Sequence, residues 1–202
     1  MVADGTVKLT DPLESRLGWG VKVPGRDGQI IRLIHLATQT SGLPREIDRP
    51  AAPPNDPFAN LTKANMIKSL RPGVLLYAPG RGGSYSNFAF DLLAVALASA
   101  GKKPYETLLR ERVLAPIGLT GTAYAPTAAQ RTNLFQGHGF DGKPLPDGPT
   151  SIMMQGAGGL YSTPKDILRW MAWHLDTHAA KDAETRLLSH AAYVQRDGLT
   201  PV

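Results

Sequence analysis

Apolar residues are densest between Phe88 and Ala98, where Asp91 is the one charged position. A stretch that is apolar nearly all round predicts a core helix, here from Ser86 to Ala100. Upstream, Asp11-Pro12 reads as an N-cap with proline at the first helical position, opening a short helix over Leu13 to Leu17. Ile30 to Ala37 reads as a short buried helix, stopped in the Thr38 to Pro44 segment by Gly42 and Pro44. The proline-rich stretch up to Pro57 has no periodicity and is expected to be irregular. Phe58, Leu61, Ile67 and Leu70 then mark the inner face of a helix ending near Arg71-Pro72-Gly73, and Val74 to Tyr77 is a brief extended piece. Pro104 opens an amphipathic helix with Tyr105, Leu108, Leu109 and Val113 inward, terminating at Pro116-Ile117-Gly118-Leu119. Residues 120 to 160 suggest short strands and turns. Thr163-Pro164-Lys165-Asp166 supplies an N-cap, proline at N1 and an acid at N3 for a helix reaching His174, followed by a weaker helical tail that stops at Gly198.

These elements occupy 202 residues, enough for one sizeable core. Charged residues are 19% of the chain and the net charge is +5, but the 22 Lys and Arg are scattered, with no aromatic-basic interleaving. A solvated basic surface is therefore expected, and no nucleic-acid partner. The chain has no cysteine, which excludes disulfides, zinc ribbons and a thiol nucleophile. No apolar run is long enough to span a bilayer. Met1-Val2-Ala3-Asp4-Gly5 has neither a basic n-region nor an apolar h-region, so no signal peptide is read there, and Gly5 looks like a helix stop.

The candidate chemistry lies at the start of the core helix. Tyr85-Ser86-Asn87 follows the turn Pro79-Gly80-Arg81-Gly82-Gly83-Ser84, so a phenol and a carboxamide two residues apart can face one cleft. A phenol works as a general base where cations stabilise the phenolate. A nucleophile for it is harder to find. Ser99-Ala100-Gly101-Lys102 lies at the C-terminal end of the core helix, where the dipole disfavours an oxyanion. Ser162-Thr163-Pro164-Lys165 straddles an N-cap, so its serine and lysine do not share one helical face. His174 and His178 mimic a metal-ligand spacing but lack an accompanying Glu in a polar stretch, so a surface pair is expected, with no metal and no cofactor. His35 reads as a hydrogen-bonded core histidine, Trp170 and Trp173 as packing residues, and Gly156 to Gly159 as a close backbone approach.

Taken in order, His35 to Pro44, Arg45-Glu46, Tyr85 to Leu93, Ala115 to Leu119 and Gly156 to Asp166 resemble the serine penicillin-recognising enzymes. This is the group of class C β-lactamases and low-molecular-mass DD-peptidases, and the likeness extends to the AmpH-type D-alanyl-D-alanine carboxypeptidase/endopeptidases. The resemblance covers essentially all 202 residues. It implies an α+β fold, here the helix-rich part of the serine β-lactamase/DD-peptidase-like fold, with the helical region and part of the α/β region. It also implies a serine nucleophile activated by a lysine one turn later, acting on D-Ala-D-Ala peptides of peptidoglycan or on β-lactams in the periplasm or cell envelope. Tyr85 would match the family's proton-sharing tyrosine. Asn87 would match the residue that bonds the substrate's amide side chain and orients the lysine.

The family's Ser-x-x-Lys would lie before Gly5 and its Lys-Thr-Gly strand after Val202. Residues 1–202 are therefore expected to be a partial domain, incomplete at both ends and inactive alone, with apolar faces of the Phe88–Ala98 helix uncovered. At Gln39, many relatives have His, and the position looks structural. Two other readings stay open: a non-catalytic peptidoglycan- or partner-binding protein, and a hydrolase that uses Ser84 or Ser86 beside Tyr85.

Overall fold

The longest helix forms where the apolar density is greatest. A computed structural model describes residues 1–145, 148 and 151–193. Its order is α1 (Leu13–Arg16), α2 (Leu33–Ala37), α3 (Lys63–Ser69), α4 (Asn87–Gly101), α5 (Tyr105–Leu109), a π-helical turn (Arg110–Leu114), α6 (Ala115–Ile117), α7 (Ala128–Arg131), a 3-10 turn (Ile152–Met154), α8 (Pro164–Leu175) and α9 (Ala183–His190). Among the described residues the β content is isolated antiparallel bridges, such as Pro12 with Arg32 and Ala123 with Tyr161, rather than the short strands expected over 120 to 160.

Helix α4 is the axis of the core. Ser86 caps it by accepting from Ala89 N, and Lys102 ends it in the left-handed conformation at φ 52°. Phe88, Ala89, Leu92 and Ala96 are buried against Leu13, Leu17, Leu33, Leu36 and Leu43 from the upstream elements. Its apolar surface is thus well covered, contrary to the expectation for the Phe88–Ala98 helix. The uncovered apolar stripe is on α8 instead, where Ile167, Leu168 (65% exposed), Met171 and Leu175 (75% exposed) lie on one face at helical spacing.

Several local expectations shift in instructive ways. Asp11 does not cap α1. Its carboxylate accepts from Lys8 N at 2.9 Å and pairs with Arg16 at 2.6 Å, while Pro12 takes the N-cap position. Ile30 to Arg32 are extended rather than helical, because Ile31 O accepts from Leu13 N and Arg32 bridges Pro12. In α3 the buried residues are Met66 and Ser69, with Ile67 turned partly outward. After α5 the π turn winds the chain by more than an α turn, so Leu114 is buried and Val113 only half-buried. Helix α8 begins as its cap predicts: Thr163 accepts from Asp166 N, and Asp166 in turn accepts from Gly121 N and Thr122 Oγ1 at 2.8 Å. The stop expected at Gly198 lies outside the described residues.

Candidate active site

Residues 39 to 46, which follow α2, form a template under the Tyr85-Ser86-Asn87 turn. Gln39 adopts φ +59°, unusual for a residue with a side chain. In that position its carbonyl accepts from Ser84 N at 2.9 Å and its side-chain Oε1 accepts from Ser86 N at 2.7 Å. The structural role expected for position 39 is therefore observed. Gly42, at φ +76°, leaves no room for a side chain, since a Cβ would fall 2.2 Å from Tyr77 O. Gly42 O accepts from Leu76 N, and Thr40 O from Gly80 N, which docks the 74–80 segment onto the template.

Ser86 points inward. It is fully buried, donates its hydroxyl to Pro44 O at 2.7 Å and accepts from Ala89 N at 3.0 Å. Its oxygen is occupied by the helix cap and its proton by a carbonyl, which removes Ser86 as a nucleophile. The residues on either side project differently. Tyr85 is 54% exposed, with the Arg45 guanidinium 5.0 Å from its ring centroid. Asn87 is half-buried and donates through Nδ2 to Glu46 Oε1 at 2.5 Å. Adjacent residues Arg45 and Glu46 thus contact the phenol and the carboxamide in turn, which holds both side chains at the N-terminal end of α4.

Behind the turn, one helical turn beyond Asn87, Asp91 is buried. Its Oδ1 accepts from Ala157 N at 2.9 Å. Desolvation, with a smaller contribution from the Glu46 charge, pushes its carboxyl up to about 7, while the backbone bonds from Ala157 and Gly156 oppose the shift. Glu46 and Asp91 line the same small cavity with Arg49, Phe58, Met66 and Phe88. Burial also raises the Tyr105 phenol, helped by Asp91. Gly156 meets α4 at backbone contact distance: a Cβ there would lie 2.0 Å from Phe90 O. The expected close approach of the Gly156–Gly159 segment is what the structure contains.

The Ser-x-x-Lys strings stand apart from the Tyr85-Ser86-Asn87 turn. Ser99 is in the last turn of α4 and Lys102 beyond it in the left-handed cap. Ser162 Oγ is 2.8 Å from Thr122 Oγ1, outside the helix that carries Lys165. His174 pairs with His190 rather than His178, with Nδ1 2.8 Å from Nε2, and stacks edge-on against Trp170 and Trp173. Among the described residues no three potential ligands gather for a metal, and no helix is long and apolar enough to cross a membrane. His35 is half-buried, with Nδ1 accepting from Arg32 N at 3.2 Å. Its burial, and then the Arg32 charge, lower its pKa.

The sequence singles out Tyr85 and Asn87 as candidates and Gln39 as structural, and gives Glu46 and Asp91 no role at the site. Only Asp91 had a visible signal, as an acid inside an otherwise apolar helix. A family model described as Beta-lactamase matches residues 1–200. The chain belongs to the Beta-lactamase family. Within that family it is 40% identical, over 178 residues, to the D-alanyl-D-alanine-carboxypeptidase/endopeptidase AmpH of Escherichia coli K12, covering 88% of this chain and 45% of that protein. Among solved structures, a beta-lactamase/D-alanine carboxypeptidase from Yersinia pestis complexed with citrate superposes with a TM-score of 0.78 at 40% identity, covering 96% of this chain and 54% of that one. The D-alanine carboxypeptidase AmpC of Burkholderia cenocepacia gives a TM-score of 0.68 at 26% identity, covering 91% and 47%. The chain has the helix-rich part of the Beta-lactamase family fold and spans about half the length of the relatives it matches.

Proposed function

We propose that these residues furnish the tyrosine–asparagine part of a serine acyl-transfer site that acts on D-Ala-D-Ala peptides of peptidoglycan or on β-lactams. The observation that carries this reading is the pair Arg45 and Glu46 holding Tyr85 and Asn87 at the N-terminal end of α4, with Tyr85 exposed. Tyr85 exchanges protons with the nucleophilic serine and the departing amine, and Asn87 bonds the substrate's amide. The nucleophile and its lysine come from a segment outside residues 1–202, which make up a partial domain that does not turn over substrate alone. The cell envelope or periplasm, where peptidoglycan lies, is the compartment this substrate requires.

A chimaera tests the reading: residues 1–202 replace the matching stretch of the E. coli AmpH, and D-Ala-D-Ala carboxypeptidase activity is assayed. Activity that survives the replacement but disappears in Tyr85→Phe supports the proposal. A chimaera equally active with Tyr85→Phe or Asn87→Ala would overturn it. A second reading, a non-catalytic binding protein, is favoured by the geometry of both Ser-x-x-Lys strings, neither of which lies at the Tyr85-Ser86-Asn87 turn. Reversible muropeptide binding by the 202 residues without penicillin acylation is its signature.

A further inference from the structure

We infer that His174 and His190 form a pH-sensitive latch, which holds α9 on α8 while the two rings share one N–H···N bond and releases it when both are cationic. The pair joins the last turns of two helices: His174 Nδ1 lies 2.8 Å from His190 Nε2. Little else between the helices could replace it. Among the described residues, the other polar or ring contact between α8 and α9 is the Arg186 guanidinium over the Trp173 ring. Helix α9 is also weak by itself. It has 8 residues, and its N-cap Asp182 is left-handed at φ 61° with no side-chain cap bond. A helix this short depends on its packing.

Proton counting gives the direction of the switch. An imidazole–imidazole bond needs one N–H and one lone pair. Two neutral rings supply them, and so does a pair with one extra proton. A second extra proton sets N–H against N–H, and no bond remains. The charged groups that bear on His174 are His190 and Arg186, both from α9 and both able to be cationic. Its neighbours on α8, Trp170 and Trp173, carry no charge to offset them. Arg186 is buried and donates through Nη2 to Ala179 O, so it stays close when the rings charge. Desolvation, then His190 and Arg186, hold the His174 pKa below 6.5. A histidine whose pKa is lower folded than unfolded stabilises the docked state above 6.5 and loses that contribution as pH falls. Release frees α9 and uncovers the Trp173 ring.

The test is amide hydrogen exchange of the 202-residue protein from about pH 8 to about pH 5, either side of the ordinary histidine value. Rates are corrected for the intrinsic pH dependence of exchange. Opening of α9 should rise by about tenfold per pH unit once it takes up one proton, while α4 stays protected. In His190→Gln, whose amide does not titrate, that slope should vanish, whether α9 remains docked or is open at every pH. The His174 ring, followed by its own resonances, should titrate below the ordinary value in the parent and return towards it in the variant. An α9 open in the parent at every pH, no slope in the parent, an equal slope in His190→Gln, or α4 opening in step with α9 would each overturn the latch. So would a His174 ring that titrates identically in both proteins.

Discussion

Asp91 Oδ1 accepts a hydrogen bond from Ala157 N at 2.9 Å, tying the first turns of the core helix to the glycine segment 66 residues away. The carboxylate pays for this position in desolvation, and its pKa rises from 3.8 to about 7. A carboxyl with a higher pKa folded than unfolded holds its proton more tightly in the folded state. Stability should therefore be greatest below pH 3.8, as far as this group is concerned, and should fall as pH rises to about 7. Glu46 faces the same group and works against its ionisation, and the Asp91 charge in turn raises the Tyr105 phenol. Asp91→Asn keeps an oxygen for Ala157 N and should flatten that slope, measured by thermal melts across the pH range.

Gly156→Ala should destabilise the fold by about 1–3 kcal/mol, the usual cost of forcing atoms into a packed region. The contact is with Phe90 backbone, which cannot swing aside as a side-chain tip could. Chemical denaturation of the variant beside Gly158→Ala, where the added Cβ meets nothing within 4 Å, separates crowding from the general effect of losing a glycine.

Ser86→Ala should lower stability by about 1–2 kcal/mol through loss of the helix cap. The same change leaves Pro44 O without its donor. Denaturation midpoints check this, and Ser86→Thr, which keeps a hydroxyl, should lose less.

Tyr85→Phe should leave the melting curve unchanged, since the ring is half exposed and its contact with Arg45 persists. In the chimaera with the E. coli relative it should lower kcat/KM by about 100- to 10,000-fold, the range for loss of a positioned proton donor or acceptor. Steady-state kinetics with a D-Ala-D-Ala peptide measures it.

Polar substitutions on the bare stripe of α8, such as Leu168→Gln with Leu175→Gln, should raise the solubility of the 202 residues and leave their melting temperature unchanged. Light scattering and calorimetry on the same samples read both effects. The same substitutions within α4, at Leu92 for example, should instead unfold the protein, because that side chain is fully buried.

The sequence displayed what is local in origin. The ends of α4 and the start of α8 were legible because apolar density, the Thr163 cap and Pro164 act within a few residues of one another. The positions of Tyr85 and Asn87 were legible for the same reason, as a short string beside a glycine-rich turn. Their supports were not. Glu46 reaches Asn87 across 41 positions and Gln39 reaches Ser86 across 47, and no pattern along the chain announces either pairing. His174 looked like the partner of His178 four residues on, yet its ring meets His190 from another helix. The π turn after α5 was hidden because periodicity arguments assume 3.6 residues per turn throughout. One slip in winding moved burial from Val113 to Leu114.

Every buried member of the main core cluster lies between Val7 and Ala96, apart from Met154. Helix α8 is joined to the rest by the Asp166 and Arg169 hydrogen bonds, and α9 to α8 by ring and cation–π contacts, with no side chain of either among the described members of that cluster. Opening them exposes little apolar surface and breaks few bonds. The molecule therefore has two levels of protection. Amide hydrogens of α4 should exchange with solvent only when the whole protein unfolds, whereas those of α8 and α9 should exchange through local excursions of low free energy. Protease cleavage under native conditions should accordingly begin beyond Leu119 and spare the N-terminal half, which holds the tyrosine and its template.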